Sequence, residues 1–97
     1  MLNIFKIKGD SMMPTIMPGS YVFTYYLNDY AIGDLIVLRI NEKIHIVKRI
    51  TAKNDGKYQI VSDNKNTSSS FCDYIYSSET IIGRVIFISN PVWKFSK

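Results

Sequence analysis

The sequence predicts a mainly β fold in a single domain, and three observations carry that expectation. Short runs of β-branched and aromatic residues recur along the chain, several with apolar residues at alternate positions. Turn formers separate them at Pro18-Gly19, Gly33-Asp34, Asn41-Glu42 and Asn54-Asp55-Gly56. No stretch sustains an apolar helical period over a full helix length. With 97 residues, 46% of them hydrophobic, the chain can build one core without disulfides or metal.

The elements follow in order. Asn3 to Lys8 reads as a first strand through Ile4, Phe5 and Ile7. Ser20 to Leu27 follows the Pro18-Gly19 turn and is rich in aromatics: Tyr21, Phe23, Tyr25 and Tyr26. Asp34 to Ile40 and Lys43 to Lys53 form a hairpin around Asn41-Glu42. Asn54-Asp55-Gly56 favours the positive φ angles of a tight hairpin and leads into a strand at Lys57 to Ser62. Asp63 to Ser70 is polar and Ser/Asn-rich, either a surface loop or one that folds over a site. Thr80 to Ser89 is the last long strand, with Gly83 at a bulge or bend. In the tail, Trp93 and Phe95 are expected to pack back on the domain.

Composition narrows the function. Twelve basic and eight acidic residues give a net charge of +4, scattered and without a Lys/Arg run. That fits weak attraction to an anionic surface but is not evidence for nucleic-acid binding, and no sequence-specific nucleic-acid partner is expected. Cys72 is the sole cysteine and His45 the sole histidine, so no disulfide, no zinc cluster and no cofactor are expected. No apolar run approaches the roughly 18–20 residues of a membrane span. The expectation is a soluble, cytoplasmic domain. Membrane-surface contact through Met12, Met13, Met17 and the Tyr21–Tyr26 aromatics is an addition to it.

Lys8-Gly9-Asp10-Ser11-Met12-Met13-Pro14-Thr15 carries the chemistry. Gly9 admits backbone conformations closed to other residues, and Pro14 fixes one angle. Ser11 thus sits on a stiff turn with nearby N–H groups, as a nucleophile and its oxyanion donors require. A serine needs a base. In the strand beyond Lys43, Ile44, Ile46, Lys48 and Ile50 share one face, while His45, Val47 and Arg49 share the other. A lysine in phase with three isoleucines is buried, and burial disfavours its charged form. Neutral, it can act as a general base; charged, it would snorkel to the sheet edge. Arg49 is expected in a surface ion pair. A Ser–His–Asp set using His45 stays open, without spacing to support it.

Six blocks then occur in order: Gly9-Asp10-Ser11-Met12-Met13-Pro14-Thr15-Ile16, Pro18-Gly19-Ser20-Tyr21-Val22, Gly33-Asp34-Leu35-Ile36-Val37, Val47-Lys48-Arg49-Ile50, Ser62-Asp63-Asn64 and Ile82-Gly83-Arg84-Val85. From about residue 5 to 88 the chain resembles the LexA-repressor and signal-peptidase-I superfamily of serine peptidases. The resemblance implies a compact, mostly antiparallel β fold, a single catalytic domain over 1–97, Ser11 as nucleophile and Lys48 as base. It implies oxyanion donors in the backbone N–H groups of Ser11 and Asp10. It offers Ser68 to orient Lys48, with Thr67 as competitor, and Ile7, Met12, Ile16 and Val47 as walls for the residue before the cleaved bond.

The ten residues before Ser11 hold neither an Ala-Gly nor a Cys-Gly pair, and self-cleavage is not expected. The reading is a small serine endopeptidase with a Ser–Lys dyad, processing a partner protein or leader peptide in trans. The alternative is a non-catalytic or self-associating regulatory module of the LexA kind. Oligomeric state is not legible.

Overall fold

The computed structural model describes residues 2–67 and 69–90. Its strands are β1 (Leu2–Lys6), β2 (Tyr21–Tyr25), β3 (Leu35–Arg39), β4 (His45–Asn54), β5 (Lys57–Val61), β6 (Tyr76–Ser77) and β7 (Ile81–Ser89). They make one sheet in the order β1-β2-β7-β3-β4-β5-β6, and every neighbouring pair is antiparallel. The mainly β, antiparallel expectation holds, with strand ends within a residue or two of those predicted. β6, only two residues long, carries no sequence signal of its own. Two 3-10 turns, Ser70–Asp73 and Ser78–Thr80, flank it.

The core has two parts because β3 is buried on both faces. Ile36 and Leu38 join Tyr30, Ile50, Tyr58, Ile60 and Ile81. Val37, pointing the other way, joins Met12, Ile16, Val22 and Val47. A strand covered on both sides needs an uninterrupted apolar run, and Leu35-Ile36-Val37-Leu38 supplies it. β4 follows the same logic, with Val47 in the second cluster and Ile50 in the first. Ile44 departs from the expected buried face: it precedes β4, in the hairpin turn, and is 42% exposed.

The connections match their chemistry. Asp55 (φ 53) and Gly56 (φ 72) form the two-residue loop between Asn54 and Lys57, both with the positive φ of a type I′ turn. At Thr51 the β4–β5 register shifts by one residue. β7 is irregular against both neighbours, carrying an extra residue against β2 and another against β3. These bulges bend the sheet. Three strands separate β1 from β4 in the sheet order, yet the rings of Phe5 and His45 lie 5.1 Å apart.

Gly83 lies between those bulges, and its backbone passes close to β2. A Cβ there would stand 2.9 Å from the Tyr25 carbonyl oxygen and 3.2 Å from Thr24 Cβ. Gly83→Ala should therefore force the two strands apart, lowering stability by about 1–3 kcal/mol. Urea unfolding tests this, and an unchanged midpoint would refute the close approach.

The outer face of β1, β2 and β7 leaves Leu2, Ile4, Tyr21, Tyr25 and Phe87 exposed. Met12, one of the residues expected to contact a membrane surface, is 2% exposed and locked in the core, so it is not available for such a contact. Among the described residues no helix is long and apolar enough to cross a membrane. Trp93 and Phe95 lie outside the described residues.

Candidate active site

Ser11 sits on the excursion from β1 to β2. Its base is pinned where the Ile7 N–H donates to Ser20 O and the Gly19 N–H to Ile7 O, both at 2.8 Å. Gly9, at φ 79, reverses the chain in a region that side chains rarely enter. The Met13 N–H then donates to Asp10 O (3.1 Å) and the Ile16 N–H to Met12 O (2.9 Å). Met12 anchors this double turn in the core, leaving Ser11 half-buried above it.

Lys48 comes from β4, opposite Ile36 of β3. Its side chain is buried, and Nζ donates to Ser11 Oγ at 2.9 Å and to Ser62 Oγ at 3.0 Å. Among the described residues no carboxylate pairs with it. Desolvation draws its pKa below the ordinary lysine value, the nearby Cys72 sulfur acting in the opposite direction. Cys72 Sγ lies 4.0 Å from Ser62 Oγ. A lysine so placed can shed its proton to solvent more readily than an exposed one, and a neutral amine at this distance can accept a hydroxyl proton.

The loop after β5 fixes both partners. Arg49 grips Asp63 with two hydrogen bonds, Nε to Oδ1 at 2.8 Å and an NH2 nitrogen to Oδ2 at 2.7 Å. Its remaining nitrogen donates to Gly33 O at 2.7 Å, and the Thr15 hydroxyl donates to Asp63 Oδ2 at 2.6 Å. The Arg49 and Thr15 hydrogen bonds hold the Asp63 carboxyl below its usual pKa. The pair is half-buried and structural, rather than the surface ion pair expected of Arg49. Next to it, Asn64 donates through Nδ2 to Asp10 O and through its N–H to Ser11 O, each at 2.9 Å. In a trans peptide the N–H points opposite to the C=O. Holding the Asp10 carbonyl on the Asn64 side therefore turns the Ser11 N–H away from it.

A cleft of about 280 Å3 opens beside the pair. Two segments line much of it, Phe5 to Lys8 and His45 to Lys48. Both have a free edge among the described residues: β1 pairs only with β2, and β4 pairs with β5 only from Arg49 onward.

Of the residues expected at the site, Ser11 and Lys48 are in contact, and Ile7, Met12 and Val47 line the cleft. Ile16 does not: it has no exposed surface, because the turn after Met12 points it into the core. Asp10 contributes its carbonyl to the turn's hydrogen bonds, and its peptide carries the Ser11 N–H. Ser68 lies outside the described residues. Thr67 is turned elsewhere, its hydroxyl donating to Asn64 O. Among the described residues the second hydroxyl on Lys48, beside that of Ser11, is that of Ser62, which the sequence did not mark for this place. His45 lies along the cleft against Phe5, and Lys48 occupies the position at Ser11 that a histidine base would need. Among the described residues no three His, Cys, Asp or Glu side chains gather where they could hold a metal.

This bent antiparallel sheet, with a buried lysine on the hydroxyl of a turn serine, is of the LexA and signal-peptidase type. The family model described as Peptidase S24-like matches residues 2–86, and the chain belongs to that family. A search of curated proteins finds no match.

Proposed function

We propose that the protein is a serine endopeptidase that cleaves a partner protein or leader peptide in trans. The observation that carries this reading is the 2.9 Å contact between Ser11 Oγ and a buried Lys48 that no described carboxylate neutralises. Neutral Lys48 takes the Ser11 proton as Oγ attacks a peptide carbonyl. The Ser11 N–H, with that of Asp10 as second donor, holds the oxyanion. The amine leaves with the proton from Lys48, and water resolves the acyl-enzyme by the same route. Ser62 keeps the Lys48 amine aimed at Ser11.

The free edges of β1 and of His45–Lys48 suit an extended peptide, added as a strand and held by main-chain hydrogen bonds. Ile7, Met12 and Val47 then provide apolar walls that favour a small side chain before the cleaved bond.

The test is mass spectrometry of a proteome-derived peptide mixture incubated with the wild type and with Ser11→Ala. Cuts made by the wild type and missing with Ser11→Ala are the expected result. Identical peptide patterns from the two proteins would sink the reading.

A further inference from the structure

The rim of the cleft is charged with one sign. Lys6, Lys8 and Lys43 line it together with His45, and among the described residues no carboxylate does. All three lysines are exposed. Asp10 and Glu42, their nearest acids in sequence, fall outside the lining. The ion pairs among the described residues, Arg49–Asp63 and Lys53–Asp29, engage none of these lysines. Lys6 lies 5.9 Å from the centre of the Tyr21 ring, a contact that leaves its charge unneutralised.

Their placement is regular as well. In extended chain, residues 6 and 8 project to the same side and residue 7 to the other. Ile7 packs against the Met12 cluster, so Lys6 and Lys8 face outward at alternate positions along the same segment. A peptide laid there as an added strand presents its own alternate side chains at the same spacing of roughly 7 Å.

We propose that the preferred substrates carry aspartate or glutamate within about four residues of the cleaved bond, on side chains that meet Lys6, Lys8 and Lys43. This rests on the peptidase reading. The positive rim attracts acidic segments and disfavours basic ones. A concave site next to Ser11 suits a peptide better than a flat lipid surface does.

The experiment compares wild type, Ser11→Ala and the triple variant Lys6→Gln/Lys8→Gln/Lys43→Gln on the same peptide mixture. Synthetic pairs that differ only by Asp/Glu against Asn/Gln near the cut then give kcat/KM. The expected result is acidic enrichment around Ser11-dependent cuts. The acidic peptide of a pair should be preferred about 10-fold at low salt, from three exposed charge pairs of up to roughly 5-fold each. The ratio should fall toward 1 in 1 M salt, where screening acts over about 3 Å, and in the triple variant.

Ser11-dependent cuts without acidic enrichment would overturn the inference and leave the peptidase reading standing. Absence of any Ser11-dependent cut would overturn that reading, and this inference with it. If the triple variant instead loses co-sedimentation with phosphatidylserine vesicles and keeps the wild-type cutting preference, the rim serves a lipid surface and the inference fails.

Discussion

Lys48→Met should abolish peptide cleavage while raising the melting temperature. The two effects share one cause. Lys48 is 4% exposed, and its burial disfavours the ammonium form. Removing a general base costs roughly 10²–10⁴-fold in rate, and among the described residues no other side chain bonds to Ser11 Oγ to take its place. Methionine has a similar length and no charge to desolvate, so the fold should gain on the order of 1 kcal/mol. Lys48→Arg is the control: it keeps a donor near Ser11 but stays protonated at working pH, and should be as inactive as Lys48→Met.

The pH dependence has a definite sign. The folded pKa of Lys48 lies below the unfolded value of about 10.4, so between the two the unfolded chain binds more protons. Wild-type stability therefore gains from Lys48 as pH rises through that window, and Lys48→Met lacks this slope. Over the lower part of the same window kcat/KM should rise as Lys48 becomes neutral. A wild-type rate flat from acid to alkaline pH would remove Lys48 as base. A variant less stable than wild type would contradict the desolvation argument.

Asp63→Ala should lower the melting temperature by on the order of 10 °C, from a loss of about 2 kcal/mol. The Asp63 side chain is 12% exposed and takes hydrogen bonds from Arg49 and Thr15. Its loss leaves the guanidinium half-buried without its carboxylate. The Arg49 side chain is 34% exposed, so water screens part of the effect and the full cost of a buried pair is not reached. Hydrogen bonds from Arg49 and then Thr15 depress the Asp63 pKa, so its contribution is complete above about pH 4 and is lost as pH falls through the folded value. Thermal melts between pH 2 and 7 should converge for wild type and Asp63→Ala at the acid end. Parallel curves across that range would show that the carboxylate charge contributes nothing. Cleavage should fall as well, because Ser62 and Asn64 flank Asp63 and hold Lys48 and the Ser11 turn.

Much of this site was legible in the sequence because its parts are local. Gly9 and Pro14 mark the Ser11 turn, and period-two counting puts Lys48 in phase with Ile50. Ser62 was hidden by a long-range detail. The Asp55-Gly56 turn sets Asn54 opposite Lys57, and an unbroken register would bring residue 63 opposite Lys48. The bulge at Thr51 takes up one residue, so Ser62 stands there instead. Nothing about Thr51 as a residue announces a bulge. Ile16 failed for a related reason: a one-residue change in the turn after Met12 decides between cleft wall and core. The two-sided burial of β3 was visible as an apolar run, but which cluster each side chain joins depends on how the sheet bends.

The two bonds from Asn64 to the carbonyls of Asp10 and Ser11 make that loop a latch between distant parts of the chain. Ser11 arrives from the β1–β2 side and Lys48 from β4, with the β7 and β3 strands between them in the sheet. Among the described residues no ladder hydrogen bond joins the two regions directly. The Thr15–Asp63 and Lys48–Ser11 hydrogen bonds tie the same turn to the β4–β5 side, so the Asn64 bonds are one part of a set of side-chain and loop contacts. The nucleophile's place over Lys48 is therefore set by these contacts rather than by strand pairing, and losing them would misplace Ser11 without unpairing a strand of the sheet.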